Sequence, residues 1–213
     1  DKKEISLMAN IEDLSDVKSV LDCKASGIGL FRTEFLFMNR KELPGEQEQY
    51  ETYKSIAKSM KGRTVVIRTL DSGADKTTAA DKTQATNPAL GLRAIRLCLS
   101  QPHLFITQLR AILKASAFGK IRILIPMLSS LGELKQVKLL IKRAKESLVV
   151  ENIKFDNEIL IGGMIEIPAV AINAEAFAAE LDFLSIGTND LIQYTLAIDR
   201  TDDSVSHLYN SIH

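Results

Sequence analysis

The stretch Phe183-Leu184-Ser185-Ile186-Gly187-Thr188-Asn189-Asp190-Leu191-Ile192-Gln193-Tyr194 decides how the chain is read. A short apolar run, 182 to 186, stops at a glycine. Small polar residues follow, and Leu191 opens a new apolar pattern. This is the signature of a buried strand that ends in a polar turn and enters a helix. In a βα unit such a turn lies at the carboxyl end of the strand, where α/β folds place their chemistry. Asn189 and Asp190 either cap the helix or hold a ligand oxygen and a metal together.

Outward from this turn the same rhythm recurs. Apolar runs at 5–9, 28–31, 64–70, 121–125 and 159–165 read as five earlier strands. Helical patterns fill the intervals: 14–25, closed by Gly27; 46–60; one carrying Arg93 and Arg96; 105–118; 131–149; and 169–179. Alternating strands and helices imply a parallel sheet, and uniformly apolar strands imply cover on both faces. Six units satisfy an open doubly wound sheet, or an incomplete (β/α)₈ barrel. Residues 71–86 form a polar segment almost devoid of large apolar side chains, a loop long enough to be functional.

Composition narrows the function. The 213 residues are 46% hydrophobic, enough for a sizeable core. Lys+Arg and Asp+Glu both number 27, so no global basic field draws in nucleic acid. No apolar run is long enough to span a bilayer. Cys23 and Cys98 lack metal spacing and read as buried free thiols, in keeping with a cytoplasmic location. His103, His207 and His213 share no ligand spacing. The opening Asp1-Lys2-Lys3-Glu4 reads as a cut within a longer polypeptide.

The unusual polar residues all fall on the carboxyl side of a strand. Arg32 follows the second, Arg68 closes the third, Glu166 ends the fifth, Asn189 and Asp190 follow the sixth, and Arg200 lies one short segment on. Parallel strands of a barrel gather these ends on one face. Arg32 either pairs with Glu34 or faces a ligand. Three arginines suit a small, multiply charged anion, which they match with paired hydrogen bonds. Carboxylates beside that anion require a cation between them, and Mg²⁺ meets the need.

Four stretches resemble signatures of the phosphoenolpyruvate-utilising enzymes. They are Gly29-Leu30-Phe31-Arg32-Thr33-Glu34-Phe35-Leu36-Phe37-Met38, Asn87-Pro88-Ala89-Leu90-Gly91-Leu92-Arg93-Ala94-Ile95-Arg96, Gly163-Met164-Ile165-Glu166-Ile167-Pro168-Ala169, and Ser185 to Tyr194. Two more, Ile67-Arg68-Thr69-Leu70-Asp71 and Tyr194-Thr195-Leu196-Ala197-Ile198-Asp199-Arg200, are similar to the phosphoenolpyruvate-protein phosphotransferases, enzyme I of the sugar phosphotransferase system. The resemblance implies an α/β fold of the TIM type, a (β/α)₈ barrel that this sequence follows for about six units across 1–213. It implies phosphoenolpyruvate contacts from Arg32, Arg68, Asn189, Asp190 and Arg200, with Arg93 and Lys76 nearby, and Mg²⁺ held by Glu166 and Asp190. It further implies a homodimer, and phosphoryl transfer to a histidine of an N-terminal domain and on to the carrier HPr.

The sequence also departs from the family pattern. The phospho-accepting histidine segment and the late cysteine that protonates the enolate are missing, so no catalytic residue is assigned within 1–213 and turnover is not expected from these residues alone. The strands stop before a seventh and eighth. Ala74 stands where the family has glycine, and Leu92 where an aromatic is common. The alternatives are the barrel of a pyruvate phosphate dikinase or phosphoenolpyruvate synthase, and a dimerisation module without activity.

Overall fold

The computed structural model describes residues 4–38, 40, 42–72, 87–210 and 212. Among these residues six strands form one parallel sheet: β1 (Ala9–Ile11), β2 (Gly27–Phe31), β3 (Thr64–Arg68), β4 (Ile121–Ile125), β5 (Leu160–Ile165) and β6 (Phe183–Ile186). Their spatial order is β1-β2-β3-β4-β5-β6, the same as their order in the chain. A doubly wound sheet reverses direction at a switch point, and this one does not. The arrangement is therefore a singly wound, curled sheet, the truncated arc of a (β/α)₈-type barrel.

Strand alternation explains where the functional side chains point. On one face, Ile28, Phe31, Val65, Ile67, Ile121, Ile123, Ile125 and Ile165 belong to the main core beneath the helices, Ile28 and Phe31 sharing it because the register of β2 shifts between them. On the other, Val66, Leu124 and Met164 form a second cluster against Leu30 and Phe183. Successive side chains alternate between faces. Arg32 shares the inner parity of Leu30, Arg68 that of Val66, and Glu166 that of Met164. All three thus continue the inner face at the carboxyl ends of their strands, Arg68 as the last residue of β3 and Arg32 and Glu166 one residue past β2 and β5.

Among the described residues the helices are α1 (Val17–Asp22), α2 (Glu46–Ser59), α3 (Ala94–Ser100), α4 (Pro102–Ser116), α5 (Leu131–Val150), α6 (Pro168–Ile172), α7 (Ala174–Ala178) and α8 (Thr188–Leu196). Ser130 and Glu133 form a capping box that fixes the start of α5. A buried amide, Gln108 on α4, locks the ends of β2 and β3. Its Oε1 accepts the Leu70 N–H at 2.9 Å, and its Nε2 donates to Thr33 Oγ1 and to the Tyr53 hydroxyl, both at 3.2 Å. Buried polar groups that are all satisfied in this way rigidify their surroundings.

Several sequence expectations need correction. The first strand is not 5–9 but Ala9–Ile11, because Ile5 and Leu7 lie exposed rather than against the sheet. The helix over 14–25 is a 3₁₀ turn, Leu14–Asp16, followed by the short α1. Lys24, at φ 56°, takes the left-handed position after it, and Gly27 opens β2. The helix over 169–179 is two short ones meeting at Asn173, and the last is capped at Gly187 and begins at Thr188, so neither Asn189 nor Asp190 is its N-cap. Cys98 is buried as expected, whereas Cys23 is exposed. Among the described residues no helix is long and apolar enough to cross a membrane.

Candidate functional site

A cleft of about 810 Å³ opens at the carboxyl ends of the strands. Arg32, Arg68, Arg93, Glu166, Asn189, Asp190 and Arg200 all line it. Lys76 lies outside the described residues, as does Ala74. The helix carrying Asn189 and Asp190 starts at Thr188, so both residues occupy its first turn, at the mouth of the cleft. A helix start favours negative charge through its free backbone N–H groups.

The cationic side of the cleft is built around Arg68. Its guanidinium is nearly buried, with Nη1 2.9 Å from Asp71 Oδ2 and Nη2 3.1 Å from Glu34 Oε1. Arg93 reaches the other oxygen of the same carboxylate, Nη2 to Asp71 Oδ1, at 2.9 Å. The backbone makes this possible: the Ala94 N–H donates to the Ser72 carbonyl at 3.0 Å, and Arg93 is the extended N-cap of α3. Burial works against the charge of both arginines, but Asp71 and the neighbouring carboxylates outweigh it and hold their pKa above the ordinary value. Arg68 Nε and Arg93 Nε are buried without a partner. Polar atoms in that state are costly unless something meets them.

Arg32 and Arg200 are more open. Arg32 pairs across to Glu12, so the alternative pairing with Glu34 is not the one adopted. Arg200 stands 3.7 Å from Asp190, too far for a hydrogen bond, while its backbone N–H donates to Gln193 Oε1 at 3.2 Å. Neither arginine is committed to a buried structural pair, and both can reorient toward a ligand.

The acidic side is a cluster of Asp71, Glu166 and Asp190, whose carboxylate oxygens lie within 4.8 Å of one another. Glu166 is fully buried. Its Oε1 accepts the Met127 N–H at 2.6 Å, and Met127 adopts φ 57° to present that N–H. Its Oε2 has no partner. Burial, reinforced by Asp71, pushes the Glu166 carboxyl up to about 7, with the Met127 N–H and Arg68 opposing and Asp190 adding to the rise. Three hard oxygen donors converging with one orphaned buried oxygen fit a small divalent cation such as Mg²⁺.

The space beside that oxygen is kept by Gly187. A Cβ there would lie 2.8 Å from Glu166 Oε2 and 2.9 Å from its Cβ. Gly187→Ala is therefore expected to push Glu166 aside. Mg²⁺ affinity should fall at least about tenfold while the far-ultraviolet circular dichroism stays unchanged. Unaltered Mg²⁺ binding by this variant would mean that Glu166 is not where the cation sits.

Two residues that matter here escaped the sequence reading of roles. Asp71 reads as the start of a polar loop, and Glu34 as a partner for Arg32. The available signal was positional: Asp71 closes the run that begins with Arg68 at a strand's carboxyl end. Tyr194 also bears on the site, since its hydroxyl donates to the Ala89 carbonyl at 2.5 Å and so ties α8 to the turn that leads into Arg93.

Comparison with known proteins places this geometry in context. Residues 1–213 match the PEP-binding domain of the PEP-utilising enzymes. The chain is 52% identical over 217 residues to a phosphoenolpyruvate-protein phosphotransferase of Cupriavidus necator, covering 100% of this chain and 37% of that protein. It is 50% identical over 204 residues to one of Staphylococcus epidermidis, covering 95% and 36%, and 47% identical over 214 residues to one of Haemophilus influenzae, covering 100% and 37%. The chain thus spans a little over a third of the length of these relatives. Among solved structures it is similar to a citrate lyase of Burkholderia xenovorans, with a TM-score of 0.55 at 13% identity, covering 94% of this chain and 54% of that one. That likeness is one of fold.

Proposed function

The chain belongs to the PEP-utilising enzymes, as their PEP-binding domain, and from that premise we propose that residues 1–213 bind phosphoenolpyruvate with Mg²⁺ and present its phosphoryl group to a histidine on another segment of the protein, for transfer to HPr. Arg32, Arg68, Arg93 and Arg200 hold the phosphate and carboxylate, and Asn189 and the first turn of α8 assist, as does Lys76. Glu166 and Asp190 hold the metal. Phosphoryl transfer asks its protein chiefly for positioning and charge neutralisation, which is what this set of groups supplies. Mg²⁺, when bound, neutralises phosphoryl oxygens that would otherwise repel the carboxylates.

The observation that carries the reading is the meeting of orphaned guanidinium nitrogens and an orphaned carboxylate oxygen in one cleft. An anion alone satisfies the first and a cation alone the second; phosphoenolpyruvate with Mg²⁺ satisfies both. The names of the relatives support phosphoryl transfer to a protein over a dikinase reaction. The family likeness also supports a cytoplasmic homodimer whose histidine-bearing and HPr-binding parts lie outside 1–213.

Calorimetric titration with phosphoenolpyruvate, with Mg²⁺ and again with a chelator, tests this. Saturable binding that needs the cation is expected. Equal binding in both conditions, or none in either, would leave the cleft without the proposed role.

A further inference from the structure

Asp71 stands on the boundary between the two halves of the cleft. Its Oδ1 and Oδ2 each lie 2.9 Å from an arginine, Arg93 and Arg68 respectively, and it is also a member of the acidic cluster with Glu166 and Asp190. The buried Glu166 Oε2 lacks a partner, and so do Arg68 Nε and Arg93 Nε. A single carboxylate cannot at once neutralise two guanidiniums and serve a divalent cation at full strength. Each commitment weakens the other, since these side chains are largely buried and charges held so close interact more strongly there than in water.

We propose that Asp71 is an exchange group that couples the two ligands: a phosphate displaces it from Arg68 and Arg93, it turns to the divalent cation, and each ligand thereby raises the affinity for the other. This rests on the reading of the cleft as a phosphoenolpyruvate and Mg²⁺ site, and it adds a third acidic partner to Glu166 and Asp190. The chemistry is an exchange of ion pairs with no covalent step. Cation alone must pull Asp71 from its arginines. Anion alone must displace Asp71 into a cluster of like charge. Only the pair together leaves every group matched. Linkage of this kind is reciprocal, and its usual size is a five- to 150-fold change in affinity.

The test measures phosphoenolpyruvate and Mg²⁺ affinities of the intact protein, each ligand in the presence and absence of the other. The unaltered protein is expected to bind phosphoenolpyruvate about tenfold or more tighter with Mg²⁺. Asp71→Asn is expected to shrink that ratio to within about threefold, while its metal-free affinity for phosphoenolpyruvate or inorganic phosphate holds or rises, because the arginines have lost their competitor. A residue that merely positions the arginines would do the opposite, weakening metal-free anion binding and leaving the ratio intact. Either of those two results overturns the proposal.

Glu34→Gln serves as the control. Glu34 contacts Arg68 and the Asp71 N–H but lies outside the acidic cluster. It should keep the ratio, and loss of coupling there to the same degree would reduce the effect to general charge. Arg93→Gln gives an independent arm should Asp71→Asn fold poorly. Releasing one oxygen of Asp71 should tighten Mg²⁺ binding in the absence of anion, and weaker or unchanged binding contradicts the exchange. A protein that binds no phosphoenolpyruvate even with Mg²⁺ refutes the underlying reading instead, and is recognised by the unaltered protein alone.

Discussion

Arg68→Ala is expected to weaken phosphoenolpyruvate binding by roughly a hundredfold, about 3 kcal/mol, the middle of the range for truncating one partner of a buried, hydrogen-bonded charge pair. No other guanidinium in the cleft is so deeply placed or so firmly oriented, with Asp71 and Glu34 on its two Nη atoms. Part of the cost falls on the folded state. Removing the cation leaves Glu34 with the Asp71 N–H, and Asp71 with Arg93. Those residual contacts are expected to keep the β3 end ordered. Arg68→Lys keeps the charge but loses the fork geometry, so its affinity should fall between the two. Titration calorimetry together with thermal melts separates the outcomes. Folded variants with unchanged affinity would exclude Arg68 from the ligand; unfolding of both would make it a structural ion-pair partner.

The second large effect belongs to Glu166 and shows itself in pH dependence. Its carboxyl sits at about 7 in the folded chain against 4.5 when unperturbed, chiefly through burial. The folded state therefore holds the proton more tightly than the unfolded one. This contribution to stability is complete below 4.5 and is lost as pH rises through about 7. At 1.36 kcal/mol per pKa unit, the loss comes to about 3 kcal/mol in the cation-free protein. Mg²⁺ requires the deprotonated form, so its stabilising effect should grow over the same interval. Glu166→Gln should flatten both trends: its chelator-treated melting temperature would exceed that of the unaltered protein at pH 8, and added Mg²⁺ would raise it little. A variant that melts lower than the unaltered protein at pH 8 in chelator would show that Glu166 is stabilising as an anion, contrary to its buried, half-satisfied position.

Much of this site could be read from the sequence because strand parity carries over into function. Leu30 and Arg32, Val66 and Arg68, and Met164 and Glu166 are pairs two residues apart, so the side chain at or just beyond each strand's end inherits the inner face of the residue before it. The run from Phe183 to Tyr194 located the last turn by a different signal, an apolar run stopped by Gly187 and followed by small polar residues. What parity does not encode is who pairs with whom. Arg32 turns to Glu12, 20 residues earlier, and leaves Glu34 to Arg68. Those choices depend on how neighbouring strand ends splay, a tertiary matter. Asp71 was hidden differently. It stands one step into a polar segment whose composition describes a loop, and only the approach of Arg93, drawn in by the Ala94–Ser72 hydrogen bond, makes it central. The choice between a barrel arc and a doubly wound sheet also lay beyond periodicity, since both use identical βα units. Strand order alone distinguishes them. At the N-terminus the apolar run of Ile5 and Leu7 misled because apolar residues are common on surfaces too.

The proposed site requires anion and cation to be held side by side by one set of side chains. Phosphorus NMR of phosphoenolpyruvate with the protein and Mn²⁺ in place of Mg²⁺ examines that directly, because the paramagnetic ion relaxes a phosphorus nucleus only at short range. Strong relaxation that requires protein, ligand and ion together, and that disappears in Glu166→Gln, is the predicted result. Bound phosphoenolpyruvate whose phosphorus signal ignores the bound Mn²⁺ would contradict it.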